Sequence, residues 1–147
     1  VLSIARRSGV KVVMGVTEGL PLRDRTFDIV TFVKTLCFVD DPLMALVEAR
    51  MALREHGRVI IGFIDRGSRI GHGYRGGMRD RPFYKGARFR SAEEMKDILP
   101  RIGAEAKETY RTIFSDPRGL AASEPVVEGH GEGSFVVMSA GFSKRDG

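Results

Sequence analysis

Apolar residues fall along this chain in blocks rather than in strict alternation. The densest block lies within residues 24–41, where the polar turn Asp24-Arg25-Thr26 leads through Phe27-Asp28 into Ile29, Val30, Thr31, Phe32 and Val33. A run of β-branched and aromatic residues without polar alternation predicts a strand buried on both faces, as in a parallel sheet covered by helices. Asp41 can cap the next helix and Pro42 suits its first position. Leu46, Ala49 and Leu53 then recur at helical spacing, so the pattern predicts an amphipathic helix over 42–54 with Gly57 as its C-cap. Residues 58–64 form a second apolar block, and strand, helix, strand in that order predict a right-handed βαβ unit. In open α/β sheets ligands sit beyond the carboxyl ends of strands, which directs attention to residues 33–39.

The flanking patterns extend this frame. Residues 1–8 read as the end of a helix, with Leu2, Ile4 and Ala5 inward, Arg6-Arg7 at its negative end and Gly9 as its stop. Residues 10–14 read as a short apolar strand, and 15–21 as a connection holding Thr17 and Glu18. After a long loop over 65–90, Ser91 and Glu94 have the spacing of a capping box. Met95, Ile98, Leu99 and Ile102 then form an apolar stripe that Pro100 should shorten and Gly103 should end. Two last strands are expected at about 105–114 and 134–142, pairing antiparallel, with the Gly-rich stretch 129–133 before the second.

Composition narrows the class. The chain has 147 residues, 42% hydrophobic and 29% charged, which suits one globular domain or part of one. No apolar stretch is long enough to span a bilayer, so no membrane role is expected. The chain starts at Val1 without a signal-peptide pattern and reads as a fragment. The single Cys37 excludes an internal disulfide and fits a reducing, cytoplasmic compartment. The net charge of +5 is unevenly placed: residues 65–90 carry eight Lys/Arg against two Asp, a local +6. Such a loop can attract an anionic substrate, nucleic acid or a membrane surface, and is equally readable as a solvated arginine-rich turn.

Four stretches together resemble one family. They are Gly15-Val-Thr-Glu-Gly-Leu-Pro-Leu22, Asp24-Arg-Thr-Phe-Asp-Ile-Val30, Leu36-Cys-Phe-Val-Asp-Asp-Pro42 and the helix 45–57 ending in Glu55-His56-Gly57. In order and combination they are similar to class I S-adenosylmethionine-dependent methyltransferases of the ubiquinone/menaquinone-methyltransferase-like group. The match is good over residues 1–64 and rests on element order beyond. Cys37-Phe38 departs from the family's frequent His pair, and Val16 from a frequent Asp. The resemblance implies an α/β Rossmann-like sheet, parallel with an antiparallel C-terminal strand, in the order 3-2-1-4-5-7-6. It also implies that the chain is the C-terminal two-thirds of one domain, truncated at its N-terminus so that strands one and two are absent. The glycine turn and ribose-binding acid that those strands carry are then missing too. The strand over 28–34 would present an open apolar edge, with self-association as a consequence.

The same resemblance implies S-adenosylmethionine as cofactor, with Val16, Thr17 and Glu18 bordering the adenine and Phe32, Val33, Lys34 and Phe38 near its methionine or methyl region. Phe32 taken alone reads as core. Lys34 can pair with a carboxylate or snorkel outward. On the substrate side Phe83, Tyr84 and Arg88, with Phe89, can form an aromatic lid or dock on the core. The acceptor is expected to be a small molecule, anionic if the basic loop faces it. No acid–base pair stands out, so no catalytic residue is assigned, and His56, His72 and His130 lack metal-ligand spacing. The string Gly71-His-Gly-Tyr-Arg-Gly76 spells a dinucleotide fingerprint but neither follows a strand directly nor opens an apolar helix. Two other classes compete with an enzyme: a methyltransferase-like binding subunit that has lost catalysis, and a nucleic-acid module using the 65–90 loop. The second ranks last, since the stacking motif of RNA-binding sheets is absent.

Overall fold

A computed structural model of the protein describes residues 2–69, 71–72, 82–116, 119 and 122–142. In chain order its main elements are α1 (Leu2–Arg7), β1 (Phe27–Val33), α2 (Pro42–Ala52), β2 (Leu53–Ile64), α3 (Ala92–Ile98), β3 (Ala104–Thr112), β4 (Val127–Glu128) and β5 (Phe135–Phe142). One sheet holds all five strands in the order β1-β2-β5-β3-β4. β1 and β2 are parallel, whereas β5 is antiparallel to both β2 and β3. This is the mixed, open α/β sheet that the apolar blocks and the resemblance imply.

Local chemistry explains most boundaries. α1 stops at Arg7, and the turn that follows it holds Gly9 with φ 79°. The Asp41 carboxylate accepts from the backbone N–H groups of Leu43 (3.0 Å) and Met44 (3.1 Å), and Pro42 begins α2. The capping box of α3 is complete: Glu94 N–H donates to Ser91 Oγ (3.2 Å), and Ser91 N–H donates to the Glu94 carboxylate (2.7 Å). α3 stops at Ile98, a 3-10 turn Leu99–Ile102 carries Pro100, and Gly103 with φ 68° ends it. On one face of the sheet, Ala45, Leu46 and Ala49 of α2 and Met95 of α3 join Val59, Ile61, Val136 and Met138 in the core.

Three expectations need correction. Residues 10–14 are not a strand, and Val10, Val13 and Met14 are exposed; a strand needs a hydrogen-bonded neighbour, and none lies alongside among the described residues. β1 is not buried on both faces. It is the edge of the sheet, and its odd-numbered side chains face away from α2 and α3, leaving Ile29 54% and Val33 60% exposed. Gly57 is not a helix cap. α2 passes into β2 at Leu53, and the β1–β2 register slips from Phe27↔Leu53 to Ile29↔Arg58, which makes residues 54–57 a bulge. A Cβ on Gly57 would lie 3.1 Å from Asp28 O and 2.8 Å from Leu53 Cδ2, so the glycine permits close approach of two backbones. Finally, β4 had no sequence signal, being a two-residue strand on β3.

The Glu94 carboxyl illustrates how the caps respond to pH. Burial would raise its pKa, but the Ser91 backbone donor and the Arg66 guanidinium beside it outweigh that and hold it below the ordinary glutamate value. A depressed carboxyl contributes stability above its unfolded pKa and loses it as pH falls through the folded one. Urea midpoints of the chain are therefore expected to drop on acidification below the usual glutamate range, and Glu94→Gln to flatten that limb. An unchanged limb in the variant would show that Glu94 is not responsible. Ser91→Ala is expected to cost about 1 kcal/mol at neutral pH.

Candidate functional site

The carboxyl ends of β1 and β2 gather most of the residues singled out from sequence. Lys34 leaves β1 with φ 53°, a left-handed conformation, and its N–H donates to Gly62 O at 2.7 Å. That conformation turns the chain sharply into the segment 35–38, closed by Phe38 N–H donating to Thr35 O at 2.9 Å. The segment 88–90 is strapped across this turn. Arg88 N–H donates to Cys37 O (2.7 Å), Arg66 N–H donates to Arg90 O (3.0 Å), and the Arg90 guanidinium reaches Leu36 O (3.3 Å).

The strap brings aromatic groups over Lys34. Tyr84 stacks on Phe38 with ring centroids 6.1 Å apart and an interplanar angle of 26°. Phe89 also lies 6.1 Å from Tyr84, tilted by 38°. Lys34 Nζ lies 3.5 Å from Tyr84 Oη and 5.9 Å from the ring centre, within cation–π range. Beneath lies a narrow cleft floored by Leu36, Ile61, Phe63 and Met95 and rimmed by Lys34, Arg88 and Arg90.

A second group lies on the other side of the turn. Val16 and Gly19 form an isolated bridge, and Asp41 N–H donates to the Glu18 carboxylate at 3.5 Å. Leu20 N–H donates to the Glu48 carboxylate at 2.9 Å, which ties this connection to α2. Thr17 and Glu18 are half-buried, whereas Val16 is 68% and Phe38 42% exposed. Phe32 is 5% exposed and belongs to the core, so only its backbone is at hand for a ligand. The Phe83 side chain and residues 73–76 of the glycine string lie outside the described residues. Arg90 was not singled out from sequence; it joins the site through contacts 54 residues apart.

Titratable chemistry here is sparse. Burial pushes the Cys37 thiol up, although its backbone hydrogen bond and the charges of Lys34 and Arg90 oppose that. The thiol therefore stays protonated at neutral pH and is no ready nucleophile. Cys37 alkylation by iodoacetamide is expected to accelerate only above the ordinary thiol range, and Lys34→Gln to delay that rise further. A rate already at its plateau at pH 7 would contradict this. Among the described residues no cluster of three or more His, Cys, Asp or Glu could hold a metal. His56 and His72 are exposed, and His130 lies elsewhere, between Lys96 and Glu93.

Comparison with known proteins decides the family. The pattern described as "Methyltransferase domain" matches residues 2–61. A crystal structure from Thermotoga maritima, described as an S-adenosylmethionine-dependent methyltransferase and possible histamine N-methyltransferase, superposes with a TM-score of 0.92 at 44% identity, covering 96% of this chain and 68% of that one. The chain belongs to the S-adenosylmethionine-dependent methyltransferases. S-adenosylmethionine is the methyl donor that defines this family. An uncharacterised protein of Methanocaldococcus jannaschii is 37% identical over 93% of this chain and 66% of its own length. An uncharacterised protein of Mycobacterium tuberculosis is 36% identical over 95% of this chain and 50% of its own. The chain thus spans half to two-thirds of these two curated relatives. Among its described residues, no helix is long and apolar enough to cross a membrane.

The residues present fit part of such a methyl donor. Val16, Val33 and Phe38 are exposed apolar side chains near the end of β1, and the Glu18 carboxylate accepts from Asp41 N–H at 3.5 Å. The donor supplies an electrophilic methyl group on a sulfonium sulfur.

Proposed function

We propose that the protein transfers the methyl group of S-adenosylmethionine to a small-molecule acceptor in the cytoplasm. The observation that carries this reading is the two-sided arrangement at the end of β1. Val16, Glu18, Val33 and Phe38 support contact with the donor, and Lys34, Tyr84 and Arg88 support contact with the acceptor. On this reading the chain's own residues act by positioning and by excluding water, which can supply much of a transfer barrier without a general base. The strap 88–90 closes one side of the cleft, and the aromatic stack orients a flat acceptor.

Calorimetric titration of S-adenosylhomocysteine into the 147-residue chain and into a chain extended to the length of its relatives tests the proposal. Binding by the extended chain, at micromolar strength or better, is expected; no binding by either would overturn it. The open edge of β1 also supports self-association of the 147-residue chain, because its outer backbone groups and the apolar Ile29 and Val33 lack cover among the described residues. Sedimentation velocity should show species heavier than a monomer, reduced by Ile29→Lys. A monodisperse monomer at high concentration would contradict that.

A further inference from the structure

The acceptor cleft carries a charge pattern that narrows what it can bind, granted that it is the acceptor site of the methyltransferase proposed above. Lys34, Arg88 and Arg90 all line one narrow cleft whose remaining lining is apolar but for Cys37. No carboxylate pairs with any of the three among the described residues. Elsewhere cations do find such partners: Arg54 pairs with Asp28, Arg66 with Glu94 and Lys107 with Glu105. Asp65, near the end of β2, is buried, and its Oδ1 already accepts from Gly67 N–H (2.8 Å) and Ala92 N–H (3.3 Å). Lys34 and Arg90 both lower the otherwise raised pKa of Cys37, so their field extends into the cleft.

Three like charges converging on an apolar floor repel one another, and low-dielectric walls focus that potential. An anion entering the cleft relieves the repulsion, whereas a cationic amine adds to it. The aromatic partners specify the rest of the ligand. Tyr84 presents its hydroxyl beside the Lys34 ammonium, and its ring lies 6.1 Å from that of Phe38 and 6.1 Å from that of Phe89. Offset stacking favours a planar body. We propose that the methyl acceptor is a planar carboxylate, its anionic group held by Lys34, Arg88 and the Tyr84 hydroxyl and its planar body lying against Phe89.

The test uses two probes with the same phenol ring and opposite charge, 4-hydroxyphenylacetate and tyramine, titrated into the chain extended to the length of its relatives with saturating S-adenosylhomocysteine. The carboxylate is expected to bind at least about tenfold more tightly than the amine, and the preference to shrink with added salt. Lys34→Gln and Arg88→Gln, both at exposed positions, should each weaken the carboxylate, and Arg88→Gln should do so while leaving S-adenosylhomocysteine binding intact. Lys107→Gln on β3 removes the same charge away from the cleft and should change neither. Equal affinity for the two probes, preference for tyramine, or binding of neither would overturn the proposal. If S-adenosylhomocysteine fails to bind but the Lys34-dependent carboxylate preference persists, the anion site stands and the methyltransferase reading falls.

Discussion

Gly71→Ala is expected to remove about 3 kcal/mol of stability or more, because overpacking against rigid backbone has no cheap relief. A Cβ at Gly71 would lie 1.9 Å from Asp65 O, 2.9 Å from Asp65 C and 3.0 Å from Arg66 Cα. All three are main-chain atoms at the end of β2. The chain is folded tightly here around Ser68, which is fully buried: its N–H and Oγ both donate to Asp65 O, at 3.1 and 2.7 Å, and Oγ accepts from Gly71 N–H at 3.0 Å. The turn must open to admit a methyl group, and Arg66, which holds Arg90 and hence the strap, would move with it. Urea denaturation is the measurement. Gly119→Ala is the control, since nothing lies within 4 Å of its added Cβ and its φ is not positive. Equal small losses at both positions would refute the account.

Asp65→Ala should be nearly as damaging, with a loss of about 3 kcal/mol, for a different reason. The Asp65 side chain is 2% exposed and its Oδ1 accepts from two backbone groups, Gly67 N–H and Ala92 N–H. Alanine leaves both donors without that acceptor in a buried place, and each such orphan costs about 1–3 kcal/mol. Ala92 is the first residue of α3, so the carboxylate ties the end of β2 to the helix whose Met95 lines the acceptor cleft. Asp65→Asn keeps an oxygen acceptor and should recover more than half of the loss. If asparagine proved as harmful as alanine, the negative charge rather than the acceptor geometry would be responsible. Because both substitutions act on one turn, combining Asp65→Ala with Gly71→Ala should lose less than the two separately.

This turn also marks where the sequence stops being readable. Devices that act within a few residues were legible: the Asp41-Pro42 start of α2, the Ser91/Glu94 box, the Pro100–Gly103 finish and the order strand, helix, strand. Devices that depend on a distant neighbour were not. Residues 10–14 have strand composition, yet composition cannot supply the second strand that pairing requires. Gly57 follows a helix and so suggests a cap, while its use is to let Asp28 O approach from another strand. The site divides in the same way. Lys34 stood out because a cation ended an apolar run, and Tyr84 and Arg88 because aromatic and basic residues clustered in a long loop. That Arg90 and Leu36 meet, or that Asp65 anchors α3, follows only from how the chain returns on itself. The spacing Asp65-x-Gly67-Ser68 was an available turn signal for the latter.

The one-sided pairing of β1 has a further readout in its amide protons. Strand β2 is bonded on both sides, to β1 and β5, whereas β1 is bonded to β2 alone. In a parallel ladder, N–H groups along an edge strand point alternately toward its neighbour and away from it. In deuterium labelling of the 147-residue chain, residues 27–33 should therefore show fast and slow exchange at every other position, while residues 59–63 remain slow throughout. Any strand that docks on this edge, from whatever source, would register as a selective slowing of the fast half of that pattern.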